Sequence, residues 1–339
     1  MVQTVNLGGS AKEVNVSRVG MGLGMLTSLG PDGPSEEQAF EVIKASVDAV
    51  PAGSKMLLNS AQFYGPKQGT ENLEMLARFF ERHPGYADKV FLCVKGGTKP
   101  NTFHIDTSPE GLRASVELCN SALRGTKTID LFQIARVVRS TPLSEQMKIL
   151  QGFVQEGLIG HIGLSESSEK SVREYNEHAP IAAVEIEVSP WSYEDETKNV
   201  ISACAELGIA IIAYSPLGHG FLTGQMGKLD DKDWRNNLSR FKGEHATNNL
   251  KLVEALKKVA ENKGISPAQL CLAWVQSLGE RIIPIPCSTK TSRMVENVNT
   301  SDIKLTDDEH AQIERILEEY PVSGGRYFDA AAFELHLWG

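Results

Sequence analysis

KVFLCVK, residues 89–95, sets five apolar residues between two lysines. A strand with one wet face would alternate apolar and polar side chains. This run does not alternate, so it reads as a strand buried on both faces, the habit of parallel sheets covered by helices. Seven more runs of the same kind lie along the chain: RVGMGLGM (18–25), KMLLN (55–59), TIDLFQIARV (128–137), HIGLS (161–165), AAVEIEV (182–188), IAIIAYS (209–215) and RIIPIP (281–286).

Helical periods fill the intervals. Ser35 with Gln38 reads as a capping box before AFEVIKASV, and ENLEMLARFFER follows the second run. Ser108 and Pro109 open EGLRASVELCNSALRG, and Pro142 opens LSEQMKILQGFVQEG. KSVREYNEH, TKNVISACAELG and LKLVEALKKVAENKG come next, then helices opened by Ser266 with Gln269 and by Thr306 with Glu309. Strand–helix alternation repeated eight times implies parallel strands with crossover helices, and eight such units close into a barrel of ~250 residues. An open doubly wound sheet is the alternative. Its fingerprint is missing: the early cluster Gly20-x-Gly22-x-Gly24 has the wrong spacing, and no helix begins at its third glycine. The reading is therefore one (β/α)8 barrel domain over 1–339, with a short strand pair before it. The weakly patterned stretch 216–246 reads as a lid loop. The tail RYFDAAAFELHLWG reads either as a second lid or as a segment docked on the barrel side.

Composition narrows the function. The 339 residues carry 34 basic and 43 acidic side chains, a net charge of −9, which gives no general attraction to nucleic acid or anionic lipid. No stretch is apolar enough to span a membrane, and MVQTVNLGGSAKEV lacks the apolar core of a signal peptide. The five cysteines are scattered, as expected for reduced thiols in a cytoplasmic protein. The eight histidines form no H-E-x-x-H and no pairing with cysteine, so no metal is expected.

In a barrel of this kind chemistry sits at the C-terminal strand ends. Those ends carry Asn59, Ser60, Lys95, Arg136, Ser165, Glu166, Glu185, Glu187, Tyr214, Ser215 and Ser288. Lys95 stands at the mouth of a dry barrel, where it needs a partner or loses its proton. Tyr64 lies in the short loop after the neighbouring run, and adjacent strand ends would bring the two together. An ammonium ~4 Å away would draw the phenol down toward general-acid range.

The motifs LNSAQFYG (58–65), VKGG (94–97), IDLFQIARV (129–137), QEGLIGHIGLSE (155–166), AVEIEVSPWS (183–192), AYSPLGHGFLTG (213–224) and IPIPCSTKTSRMVEN (283–297) resemble the aldo-keto reductases over nearly the whole chain, and among them the fungal pyridoxal reductase branch. The resemblance implies NADPH as cofactor and hydride transfer to a carbonyl, with pyridoxal or another aromatic aldehyde as substrate. It implies Tyr64 as general acid and Lys95 as the lysine beside it. The family aspartate falls on Asn59 and the family histidine on Ala135. Ser165, Glu166 and Glu185 fall at the nicotinamide carboxamide, and Tyr214 at the ring face. Ser215, Leu217 and Gly218 match a pyrophosphate strap. Ser288, Lys290 and Arg293 match a 2′-phosphate clamp, with Glu296 and Asn297 toward adenine. Ala135, Arg136 and Trp191 are expected at the substrate pocket. With two of four family groups changed, the alternatives are a general aldehyde reductase and a cofactor-binding regulatory subunit of the potassium-channel beta type.

Overall fold

The computed structural model describes residues 1–225, 229–327 and 338–339. Strands β1 (Thr4–Asn6) and β2 (Asn15–Ser17) pair antiparallel at the start. Strands and helices then alternate: β3 (Met21–Gly22), α1 (Glu36–Asp48), β4 (Met56–Ala61), α2 (Glu71–Arg82), β5 (Val90–Gly96), α3 (Pro109–Ala122), β6 (Ile129–Ile134), α4 (Leu143–Gln155), β7 (Ile159–Ser165), α5 (Glu169–His178), β8 (Ala183–Glu187), α6 (Asp195–Leu207) and β9 (Ala210–Tyr214). Two helices follow, α7 (Gly243–Lys263) and α8 (Pro267–Ser277), then β10 (Ile282–Pro284), α9 (Thr291–Asn299) and α10 (Asp307–Glu319). Each of the eight apolar runs holds one barrel strand.

Strands β3 to β10 are parallel and neighbour one another in chain order. The sheet closes where β3 meets β10: Gly20 N donates to Pro284 O at 3.0 Å and Gly22 N to Pro286 O at 3.1 Å. This is a (β/α)8 barrel. The seam accounts for Gly20 and Gly22, and the Tyr64 ring for Gly24. A Cβ on Gly22 would stand 2.9 Å from Ile285 O, and one on Gly24 would press on the Tyr64 ring at 3.4 Å.

Inside the barrel the period of two reappears. One buried cluster holds Leu57, Phe91, Cys93, Leu131, Ala183, Ile212 and Ile283, plugged from below by Val5, Leu7 and Val16 of the opening strand pair. The alternate positions, among them Met56, Leu58, Leu92, Val94 and Phe132, belong to a second cluster that packs under the helices. Both sets are apolar at the bottom. Toward the C-terminal end the inner set turns polar: Asn59 follows Leu57, Lys95 follows Cys93, Gln133 follows Leu131, and Glu185 follows Ala183; in the outer set Ser60 follows Leu58 and bonds to Asn72 of α2.

Helix starts agree with the capping signals at Ser108, Ser266 and Thr306, the last two with complete capping boxes. Ser35 caps α1 from its hydroxyl alone, because the Gln38 side chain donates to Thr289 O instead. The expected lid at 216–246 is shorter than its sequence implied. α7 begins at Gly243, seven residues before the apolar period starts. Tertiary contacts override weak helix propensity there: Asn249 donates to Arg240 O and Ser323 O, and accepts from Ser323 N.

Gly22→Ala is expected to lower the urea midpoint at unchanged m-value, by ~1–3 kcal/mol of stability, because the seam must shift to admit the methyl group. An unchanged midpoint would show that the seam yields freely.

Candidate active site

Three strands deliver one polar cluster to the C-terminal end of the bore. Lys95 Nζ, at the end of β5, donates to Asn59 Oδ1 of β4 at 2.6 Å. It lies 2.9 Å from Glu185 Oε1 and 3.2 Å from Oε2, both on β8. Asn59 Nδ2 donates to Glu185 Oε2 at 2.6 Å, which closes the triangle. The Lys95 and Glu185 side chains are only 6% and 2% exposed. Burial works against the lysine charge, but Glu185 and Tyr64 together outweigh it and the group is pushed up to about 12. Lys95 is therefore a permanent cation at neutral pH.

Tyr64 meets this cation as expected: Lys95 Nζ stands 4.9 Å from the centre of its ring. The expectation of a depressed phenol does not hold. Loss of water raises Tyr64 above its ordinary value, Lys95 pulls it down, and Glu185 pushes it up again. The sequence showed the ammonium but neither the burial of the phenol, which is the largest effect, nor the carboxylate that opposes Lys95. The phenol thus stays protonated at neutral pH, a proton donor in its resting form.

The loops carrying these groups are pinned by buried amides. Asn72, on α2, accepts from Ser60 Oγ and donates to Leu23 O and Thr27 Oγ1, and the Thr27 hydroxyl donates to Tyr64 O. Gln62 donates to Thr98 O and accepts from Ser115 Oγ, which also accepts from Gly97 N. Neither Asn72 nor Gln62 was singled out in the sequence, where a buried Asn or Gln looks like any other helix or loop amide. Phe63 packs edge-on against Tyr64 and against Phe103, which is 58% exposed. These rings form an aromatic rim beside the phenol.

The other side of the mouth holds Glu166 and Glu187. Arg326 of the tail donates to Glu166 Oε2 at 2.7 Å and to Glu187 Oε2 at 3.3 Å. Tyr327 Oη lies 3.2 Å from Tyr214 Oη, and Arg136 donates to it at 3.1 Å. Arg326 and Tyr327 thus lie on the mouth, as the lid reading of the tail expects; residues 328–337 of that tail fall outside the described residues. Burial pushes Glu187 up to about 7, against Arg326 and Arg240, which lower it. Ala135 is buried just after β6; its N–H donates to Gly96 O at 2.9 Å and its carbonyl accepts from the Arg136 guanidinium. Trp191, expected at a substrate pocket, is buried under the loop after β9, stacked on Phe241 and edge-on to Phe221.

The residues matched to a cofactor form two groups. Ser165 pairs with Glu185 in register, so it stands next to the lysine cluster. Glu185 itself, expected to meet a carboxamide, has both oxygens engaged by Lys95 and Asn59. Glu166, Ser215 and His219 adopt positive φ just after β7 and β9, a strained backbone for residues with a Cβ. Leu217 and Gly218 follow in that loop, and a Cβ on Gly218 would meet Trp191 at 2.7 Å. The second group gathers at α9. The helix opens at Lys290 with no side-chain cap, Lys290 and Arg293 are exposed there, and its first turn holds no acidic residue. Lys290 N donates to Ser288 Oγ. Farther along, Glu296 accepts from Ser266 Oγ at 2.6 Å and Asn297 is buried. An uncapped helix start flanked by two cations suits a phosphate. Among the described residues no group of His, Cys, Asp and Glu is arranged to hold a metal, and no helix is long and apolar enough to cross a membrane.

Residues 18–318 match the profile of the aldo/keto reductase family. A probable pyridoxal reductase of Schizosaccharomyces pombe is 36% identical, over 92% of this chain and 95% of that protein. A putative pyridoxal reductase of Saccharomyces cerevisiae is 32% identical, over 92% and 97%. The solved structure of a glycerol dehydrogenase from Gluconobacter oxydans superposes with a TM-score of 0.79 at 24% identity, over 94% of this chain and 96% of that one.

Glu187 gives a signed expectation. The folded protein keeps its proton up to about pH 7, while an unfolded chain loses it near the ordinary value of 4.5. Between those limits the folded state binds more protons, so this residue's contribution to stability falls as pH rises. Glu187→Gln should gain stability relative to the parent by up to about 1.4 kcal/mol per pH unit across that window. Urea unfolding of both proteins at several pH values checks this; a constant difference would show a carboxyl of ordinary acidity.

Proposed function

The chain belongs to the aldo/keto reductase family, and on that premise we propose that it is an NADPH-dependent carbonyl reductase that converts pyridoxal to pyridoxine, a cytoplasmic enzyme of vitamin B6 metabolism. The observation that carries the reading is the protonated Tyr64 held against the buried Lys95–Asn59–Glu185 cluster at the C-terminal end of the bore. A proton donor fixed beside a permanent cation is what the reduction of a carbonyl requires, because negative charge develops on the oxygen.

Bound NADPH supplies the hydride from C4 of its nicotinamide. The residues of this chain do the rest. Tyr64 gives its Oη proton to the carbonyl oxygen as charge builds there. Lys95 stabilises the phenolate left behind, which Glu185 alone would disfavour. Tyr214 offers an aromatic face and Ser165 a hydroxyl at the nicotinamide end. Ser215, Leu217 and Gly218 offer a strap for the pyrophosphate. Ser288, Lys290 and Arg293 would hold the 2′-phosphate at the start of α9, with Glu296 and Asn297 toward adenine, and the uncapped helix start supports this. The substrate class rests on the fungal relatives and on the mouth itself: Phe63 and Phe103 make an aromatic rim, and Ala135 is small where the family places an imidazole. Arg136 stands beside Ala135 as a polar contact for the ring substituents.

Tyr64→Phe should lower single-turnover oxidation of NADPH with pyridoxal by about 10²-fold or more while NADPH still binds, since the phenol is used only in the transition state. A variant within threefold of the parent would mean that water or another group supplies the proton. A parent protein that binds NADPH but turns over neither pyridoxal nor a generic aldehyde would instead point to the regulatory-subunit reading. Arg293→Ala should weaken NADPH by about tenfold or more, the worth of one charge-assisted hydrogen bond, and leave NADH unchanged. Equal weakening of both in a fluorescence titration would contradict the phosphate clamp.

A further inference from the structure

We propose that Glu185 is the positioning residue of the proton donor: its carboxylate, reaching across the bore from β8, holds the Lys95 ammonium in place against Tyr64, with Asn59 as the neutral strut between them. This rests on the reductase reading and goes beyond it by assigning Glu185 to the lysine rather than to the cofactor.

Three observations carry it. First, Lys95 is buried in a bore lined below by Cys93, Phe91 and Leu131, so its charge needs an anion within reach. Among the described residues the one carboxylate bonded to it is Glu185, at 2.9 and 3.2 Å. Second, the contact is geometrically closed. Asn59 accepts from Lys95 through Oδ1 and donates to Glu185 through Nδ2, so its amide orientation is fixed by having a donor on one side and an acceptor on the other. An aspartate at position 59 would put a second anion beside Glu185, and the amide avoids that repulsion. Third, the carboxylate is anchored by its backbone: Glu185 O accepts from Glu166 N at 2.9 Å, and β8 is held in register by β7 and β9. Both backbones sit inside the ladder, but the lysine reaches across on four methylenes and the glutamate on two, so the shorter arm fixes where the longer one ends.

The consequence concerns protons. Tyr64 and Lys95 titrate as a pair, and the first proton to leave that pair leaves more easily once Glu185 is neutral, whichever group loses it. Because Asn59 Oδ1 already lies 2.6 Å from Nζ, a carboxylate at position 59 can take over the charge.

The test compares the parent, Glu185→Gln, and the double variant Asn59→Asp/Glu185→Gln. Two readouts are used: the pH profile of kcat for pyridoxal reduction, and labelling of Lys95 by cyanate, which adds to a neutral amine and is located by peptide mass mapping. Glu185→Gln should lose roughly tenfold or more in kcat, move the alkaline limb down by about one unit, and make Lys95 reactive to cyanate. NADPH affinity, read by fluorescence, should stay within about threefold. The double variant should recover kcat and protect Lys95 again, and it also covers the case in which the single variant folds poorly. A Glu185→Gln protein with parental kcat, an unmoved alkaline limb and a protected Lys95 overturns the proposal. So does a folded double variant that recovers neither property. If the parent reduces no aldehyde, the reductase reading fails, and the cyanate pattern alone decides the role of Glu185.

Discussion

An ammonium group inside a barrel of apolar side chains has to be matched by an anion, and the C-terminal end of this barrel is organised by that demand. Lys95 lies on β5 and Glu185 on β8, three strands farther round the sheet. In an open sheet those positions would be separated by the width of the intervening strands. Closure at Gly20 and Gly22 turns the separation into a path across the bore, so the ion pair exists only because the seam does. The short β3, two residues long, is thus as important to the chemistry as the longer strands.

The same economy governs the surroundings. Apolar residues fill both faces of the strands at the bottom, so nothing there competes for the polar groups above. The loops that follow β4 and β5 are fixed by Asn72, Gln62 and Ser115, each bonded to backbone or side-chain atoms of a neighbouring loop. Tyr64 is placed by this scaffold and not by its own packing alone, since its ring rests on glycine at position 24 and on the Lys95 charge. Positive φ at Glu166, Ser215 and His219 shows where the backbone is bent to keep side chains aimed at the mouth.

The strands were legible because a buried parallel strand is apolar at every position, and the caps because Ser, Thr and Pro satisfy helix starts locally. That same uniform apolarity hid which positions face the bore, so polar residues at the strand ends could be named but not paired. Lys95 and Glu185 are 90 residues apart, and Arg326 and Glu166 are 160 apart; no local pattern signals either contact. Likeness to a family made the matter harder at Glu185, since its position matched an amide that meets the cofactor and its charge had no local explanation. The start of α7 was missed for a similar reason: GEHATNN has no apolar period, and the contact that makes it helical, Asn249 with Ser323, comes from the far end of the chain.

Two ion-pair systems therefore meet at the mouth, and they depend on different parts of the chain. Lys95, Asn59 and Glu185 belong to barrel strands, so their geometry is complete once the barrel has closed. Glu166 and Glu187 also sit at the ends of strands, but the cation between them, Arg326, comes from beyond α10. Without that arginine two buried carboxylates would stand at the mouth without the cation that bonds to both. Docked Arg326 draws Glu187 down, yet burial outweighs it and the carboxyl stays raised, so both the arginine and the proton act on that wall. The proton donor is built into the frame, while the charge balance of the opposite wall is completed by the C-terminal segment.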